Sequence, residues 1–387
     1  MSYDQDLAFQ YTNPTKIIFG ENSVRETGLE VDALGGTRAL VVTDEGIVKA
    51  GLAARVEEAL GRRYAGTYDR CVQDSGFHLV DEAAAFAREK EADILVSVGG
   101  GSVIDTAKGM AILLKEGGKL ADYKGMQVLS RPQTPHVVVP TTAGTGSEVT
   151  WAAVIKDWDL NIKELVASYY LIPDRAILDP VLTAGLPAPL TAATGMDAFT
   201  HAVEAIHSIE RQPITDGMAL QAIKMIARFL PVCVEEGDNL TARGQQQIAA
   251  TMAGIAFGNA QVCLAHSIAH ALGALFGVPH GLANSIILPH VMRFNLEECP
   301  DRYALVAEAM GIDTRGEDEL SAGKAAIEAV TALTERIKLP QKLREVKVPE
   351  EELAKAAELA LEDGDIIFNP RPVMDAEEVL NILKEAW

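Results

Sequence analysis

The sequence predicts an α/β domain followed by an all-helical domain. Three observations carry this expectation. Short apolar runs, each closed by a Gly- or Thr-rich turn, recur through the first half. Helix-like stretches separate them, which is the alternation of a mostly parallel sheet covered on both faces. From about residue 183 onward only helical periodicity remains, in stretches such as "LTAATGMDAFTHAVEAIHSIE" and "ITDGMALQAIKMIARFLP".

In chain order, "TKIIFG" reads as an N-terminal strand with an unpaired apolar edge. "TRALVVTDEG" has an apolar core at 39–42, closed by Thr43, Asp44 and Gly46, with a helix-like stretch over 52–60. "ADILVSVGGG" is the next strand and runs into the helix-like "SVIDTAKGMAILL". "PHVVVPTTAGTGSE" follows, with its core at 137–139. The Pro-rich text "PDRAILDPVLTAGLPAP" marks the change of period. It divides the chain into an α/β domain over 1–182 and a helical domain over 183–387. A chain of 387 residues suits two cores better than one.

Acidic residues outnumber basic ones by 55 to 34, for a net charge of −21. That argues against nucleic acid or an anionic membrane as a partner, since both need basic surfaces. The four cysteines, Cys71, Cys233, Cys263 and Cys299, show no CxxC spacing and no disulfide framework. Cys233 and Cys263 read as small buried hydrophobes. "MSYDQDLAFQ" has no secretory signal, and apolar runs are interrupted by His, Gly or Pro, so a cytoplasmic protein without membrane spans is expected.

Two loops look built for a ligand. Gly99, Gly100, Gly101 and Ser102 stand where a strand turns into a helix, and a helix start offers free N–H groups to a diphosphate. "PTTAGTGSE" adds the hydroxyls of Thr141, Thr142, Thr145 and Ser147 at another strand's carboxyl end. Such ends are where open α/β sheets bind ligands. The first stretch is neither a GxGxxG fingerprint nor a P-loop, and alone it could be just a tight turn, but two such loops at neighbouring strand ends would make a dinucleotide cleft.

The helical half concentrates imidazoles. Asp197 and His201 lie four apart in "GMDAFTHAVEA", as do His266 and His270 in "LAHSIAHALGALFGVPHG", and His280 follows a turn. Residues spaced i, i+4 share a helix face. A single histidine on an apolar face is usually a hydrogen-bonded core residue. Two such pairs facing a nucleotide cleft point instead to a divalent metal, and a carboxylate with imidazoles suits Fe²⁺ or Zn²⁺. Spacing leaves open which of His266, His270 and His280 are ligands. Glu204 and His207, on the same helical stretch, need only surface roles.

Together the segments "GGGSVIDTAK", "PTTAGTGSEVT", "DRAILDPVLT", "GMDAFTHAVEA", "AHSIAHALGALFGVPHG" and "NPRP" resemble the iron-containing (group III) alcohol dehydrogenases, within the dehydroquinate synthase-like fold group. The resemblance implies an NAD-dependent enzyme that interconverts a primary alcohol and an aldehyde, and at least a homodimer with "TKIIFG" near the contact. It implies metal ligation by Asp197, His201, His266 and His280, with Fe²⁺ expected and Zn²⁺ the alternative. His270 would sit beside the nicotinamide in a proton relay. Gly99 to Ser102 would hold the diphosphate and Thr141, Thr142, Thr145 and Ser147 the rest of the dinucleotide. Asp44, at a strand's end, would meet the adenosine ribose, and Lys163 would also reach the cofactor. The chain departs from the family's pattern at Ile206 and in "EDGDIIFNPRP", two segments expected to border the substrate pocket. The runner-up reading is a zinc-dependent polyol dehydrogenase of the glycerol or diol type. The ligand set disfavours a dehydroquinate synthase type of lyase and a metal-free maleylacetate-type reductase.

Overall fold

A computed structural model describes residues 7–158 and 162–387. The first part contains strands β1 (Lys16–Phe19), β2 (Ala39–Val42), β3 (Tyr64–Tyr68), β4 (Ile94–Gly99), β5 (Gly125–Met126), β6 (His136–Pro140), β7 (Ala152–Asp157), β8 (Ile162–Ala167) and β9 (Arg175–Leu178). Its helices are α1 (Thr27–Ala33), α2 (Glu45–Lys49), α3 (Leu52–Leu60), α4 (Phe77–Glu89) and α5 (Gly101–Glu116). Six strands form one parallel sheet in the order β1-β9-β6-β4-β2-β3.

The continuous apolar runs are explained by helices on both faces. Leu40, Val42 and Leu95 pack on one side with Val80 and Ala83 of α4 and Met110 of α5. Ala39, Val41, Val96, Val137 and Ile177 point to the other side, towards Val31 of α1 and Val56 and Leu60 of α3. Alternate side chains of one strand thus enter two different cores. Each fully buried Val, Leu or Ile contributes roughly 1.5–3 kcal/mol.

The strand order also places the ligand crevice. After β2 the chain crosses to β3 on one side, and after β4 it continues to β6 on the other. Connections that diverge in this way open a gap outside the strands' carboxyl ends. Thr43–Asp44 and Gly99–Ser102 flank that gap. A feature the sequence did not suggest is a second sheet, β5-β8-β7, in which β7 and β8 pair antiparallel.

The last strand ends at Leu178, and the described residues beyond it form only helices and turns. These are α6 (Ala188–His207), α7 (Pro213–Glu235), α8 (Leu240–Ala260), α9 (Leu264–Phe276), α10 (His280–Asn295), α11 (Pro300–Ala309), α12 (Glu319–Arg336), α13 (Leu353–Leu361) and α14 (Ala376–Ala386). The division expected near residue 182 falls in the turn between β9 and α6. By length and composition alone α7 could cross a membrane, although Gly217 and Pro231 interrupt it as the sequence reading expected. It buries Ala219, Ala222, Ile223, Ile226 and Leu230 in the core it shares with α6 and α8. A break at 261–263 turns the chain by 104° from α8 into α9. That bend aims the N-terminus of α9 at α6.

Candidate metal centre and dinucleotide cleft

The α6 stretch "GMDAFTH" is buried almost completely: Asp197 is 3% exposed and His201 5%. His266, on α9, is 2% exposed. Ligand atoms of these three residues lie within 4.8 Å of one another. His280 opens α10 and turns its Nε2 to 3.4 Å from Asp197 Oδ1, while His266 Nε2 lies 3.9 Å from the same oxygen. A tetrahedral shell with bonds of ~2.1 Å has edges of ~3.4 Å, so the His280–Asp197 spacing equals such an edge and the others are somewhat wider. His280 reaches the cluster because residue 281 is glycine. A Cβ there would stand 2.2 Å from Ala193 O and 3.2 Å from Asp197 Cβ.

The donor chemistry fits as well. No lysine or arginine among the described residues pairs with Asp197, whose basic partners among those residues are the imidazoles of His266 and His280 alone. Burial holds the His201 pKa down to about 4, and it pushes His280 well below its usual range. Both rings are therefore neutral at pH 7 and have lone pairs for a metal. Asn284, one turn along α10, donates from Nδ2 to Asp197 Oδ1 at 2.9 Å. The same nitrogen lies 3.1 Å from His266 Nε2 and 3.3 Å from His280 Nε2. It is an N–H donor at the focus of three atoms that would otherwise face a cation.

Glu204 was expected at the helix surface, and the structure corrects this. It is fully buried, and its Oε2 lies 2.5 Å from His266 Nδ1. It also accepts backbone hydrogen bonds from Cys263 at 3.0 Å and Ala265 at 2.7 Å, capping the start of α9. Burial alone would raise the Glu204 pKa, but His266 and these donors hold it down to about 2. In turn Glu204 raises the pKa of His266 against the opposing effect of burial. A carboxylate fixed on Nδ1 leaves Nε2 aimed at Asp197. The signal was present in the spacing, since 197, 201 and 204 are i, i+4, i+7 on one helix face. His207 is likewise buried, with Nδ1 2.9 Å from the Tyr303 hydroxyl.

His270 lies outside the cluster. Its ring stacks on His280 with centroids 5.2 Å apart and planes 14° from parallel. Its Nδ1–H donates to Asp363 Oδ2 at 2.8 Å. The two segments expected to border the pocket therefore part company. Asp363 and Asp365 from "EDGDIIFNPRP" reach His270, whereas Ile206 is sealed in the helical core at 0% exposure.

The two glycine-rich loops touch. A Cβ on Gly100 would meet Thr142 at 3.2 Å, and one on Gly101 would meet Thr145 at 2.8 Å. Gly146, at φ +64°, approaches Gly254 of α8 so closely that its Cβ would stand 2.5 Å from the Gly254 Cα. The loop 141–147 thus binds the sheet's edge to the helical bundle. Gly144 is similarly pressed on Thr194 of α6, one turn before Asp197, which brings the cleft beside the Asp197–His201–His266 cluster. Ser102 Oγ accepts from the backbone N–H of Asp74 at 3.2 Å. Thr141 is buried at the end of β6, and Gly99 closes β4 next to it. Ser147 faces inward, donating to Asp105 at 2.6 Å and accepting from the buried Lys108 at 3.0 Å. Asp44 Oδ1 caps α2 through the Ile47 N–H at 3.0 Å. Lys163 pairs with Asp74 at 2.9 Å, and its charge helps to keep His280 neutral.

Both parts of the chain match known proteins. A family model described as iron-containing alcohol dehydrogenase matches residues 14–180, and one described as the C-terminal part of the Fe-containing alcohol dehydrogenase family matches 191–387. The 1,3-propanediol dehydrogenase of Klebsiella pneumoniae is 41% identical over 385 residues, covering 98% of this chain and 99% of the relative. The NAD-dependent methanol dehydrogenase of Bacillus methanolicus is 37% identical over 377 residues, covering 96% and 98%. A crystal structure of 1,3-propanediol oxidoreductase superposes with a TM-score of 0.96 at 40% identity, covering 98% of this chain and 100% of that one. With both domains matched along nearly the whole chain, the protein belongs to the iron-containing alcohol dehydrogenase family.

Proposed function

We infer that the chain interconverts a primary alcohol and an aldehyde by reversible hydride transfer with NAD(H) at a divalent metal, Fe²⁺. It is an oxidoreductase acting on CH–OH groups. The convergence of Asp197, His266 and His280 beside the switch-point crevice carries this reading. The similarity to 1,3-propanediol dehydrogenase and NAD-dependent methanol dehydrogenase supports it and favours short alcohols. The zinc-dependent polyol reading is not favoured.

Asp197, His201, His266 and His280 would hold the ion, which when bound supplies Lewis acidity and makes the alcohol proton easier to lose. Glu204 keeps His266 in the tautomer whose Nε2 is free. His270, with Nδ1 committed to Asp363, has Nε2 left to exchange the hydroxyl proton with solvent. The loops at Gly99–Ser102 and Thr141–Ser147 orient the dinucleotide and exclude water from the junction of the two domains. We assign the ribose to Asp44, which favours NAD because a carboxylate repels a 2′-phosphate, and a further cofactor contact to Lys163. Four free, buried cysteines suit a reducing, cytoplasmic setting. The exposed edge of β1, with Ile17 39% and Phe19 46% exposed, suits symmetric pairing into a homodimer.

The test is NADH formation from a panel of short primary alcohols, with protein reconstituted anaerobically with Fe²⁺ or with Zn²⁺. Turnover with Fe²⁺ and a clear preference for NAD⁺ over NADP⁺ are expected. Equal catalytic efficiency with the two cofactors would remove Asp44 from the ribose. Higher activity with Zn²⁺ would reopen the polyol reading.

A further inference from the structure

The turn Gly364–Phe368 packs against α9 and brings two carboxylates to His270. Asp363 is fully engaged. It accepts from His270 Nδ1–H at 2.8 Å, from the Ser267 hydroxyl at 3.3 Å and from the Asp365 backbone N–H at 2.9 Å. Asp365 differs. Its Oδ2 lies 3.9 Å from His270 Nδ1, beyond hydrogen-bond distance, and its side chain remains 31% exposed. No lysine or arginine among the described residues forms an ion pair with it. The nearby cation Lys163 is already paired with Asp74.

Hydrogen bonding singles out this one group. Asp197 and Glu204 would offset a divalent ion, and three donors spread the charge of Asp363. Asp365 keeps a negative charge one imidazole away from the ligand set, because His270 stacks directly on His280. Burial and the neighbouring Asp363 carboxylate push its pKa up. A carboxylate in that position can accept a hydrogen bond but cannot donate one.

We propose that Asp365 selects the substrate: the site takes primary alcohols whose far end carries a hydrogen-bond donor, hydroxyl or ammonium, and turns away those ending in a carboxylate or sulfonate. This rests on the dehydrogenase reading above and names its substrate class. Two like charges ~5 Å apart at an effective dielectric constant of ~20 repel enough to lower catalytic efficiency by roughly 100-fold.

The experiment uses the full-length, metal-loaded enzyme with NAD⁺ at pH 8 and four three-carbon alcohols: 1-propanol, 1,3-propanediol, 3-aminopropan-1-ol and 3-hydroxypropanoate. Catalytic efficiency, kcat/KM, is measured for each. Wild type should discriminate against 3-hydroxypropanoate relative to 1-propanol by about 100-fold. Asp365→Asn should reduce that discrimination at least about tenfold and make 3-aminopropan-1-ol a relatively poorer substrate, and Asp365→Ser should do the same. Calorimetric binding of the amino alcohol and the hydroxy acid follows the same selectivity without turnover. If the wild type oxidises 1-propanol and 3-hydroxypropanoate with comparable efficiency, or if both substitutions leave the ratios unmoved, the proposal is overturned. Failure to oxidise any of the four would instead overturn the dehydrogenase reading, while the binding ratios would still decide the role of Asp365.

Discussion

Replacing Glu204 by Gln exchanges one heavy atom and removes one charge, yet it should weaken metal binding without touching a proposed ligand. In the native protein Oε1 accepts from Ala265 N–H, and Oε2 from Cys263 N–H and His266 Nδ1–H. A glutamine amide cannot satisfy all three. With NH₂ in place of Oε2, it faces the Cys263 N–H and forces His266 to accept at Nδ1. The His266 proton then moves to Nε2, pointing into the ligand cluster. With NH₂ in place of Oε1, the tautomer survives but the Ala265 N–H loses its partner. A buried unsatisfied donor costs roughly 1–3 kcal/mol, and a lost charged hydrogen bond roughly 1.5–3 kcal/mol. Removing such an outer partner typically lowers metal affinity about 10- to 100-fold, or ~1.4–2.7 kcal/mol. The assay is metal content by plasma mass spectrometry after equilibration with a series of chelator-buffered Fe²⁺ concentrations, with the thermal midpoint of the metal-free protein measured in parallel. A Glu204→Gln protein whose metal affinity stays within about twofold of wild type would refute the reasoning.

Three further outcomes are expected. His280→Ala should lose stoichiometric metal, whereas His270→Ala should retain it and turn over more slowly; full loading of His280→Ala by elemental analysis would remove that residue from the ligand set. Gly281→Ala should push α10 away from α6, because the new methyl would lie 2.2 Å from Ala193 O; a loss of roughly 1–3 kcal/mol in denaturant titration and weaker metal retention should result. Stability should fall with acid, because burial holds His136 down to about 3 and His207 down to about 4 from the ordinary 6.5. Between those values the unfolded chain binds protons that the folded one refuses, so each histidine removes up to roughly 2 kcal/mol by pH 5. His136→Gln should flatten the slope of the thermal midpoint between pH 7 and pH 5, and an unchanged slope would show that His136 contributes nothing to it.

The local alphabet of the chain determined a good deal. Strand cores such as 39–42 and 137–139 were legible because a strand covered on both faces reads as an uninterrupted apolar run. The helical half was legible from its period, and Asp197 and His201 from their i, i+4 spacing. All of these are properties of neighbours in sequence. What the tertiary structure alone decided involves residues brought together across long separations. The buried carboxylate of Glu204 meets His266 from 62 positions away, which only the bend between α8 and α9 makes possible. Asn284 bridges Asp197, His266 and His280 from a helix whose approach depends on Gly281. Asp363 meets His270 across 93 positions. Ser147 looks like a cleft hydroxyl in its own segment, yet it turns inward to Asp105 and Lys108, 42 and 39 positions earlier in the chain. Periodicity records which face of an element is buried, but not what it is buried against. The partner is set by the packing of whole helices and strands, where loop lengths, bends and single glycines decide which distant side chains come within hydrogen-bond reach.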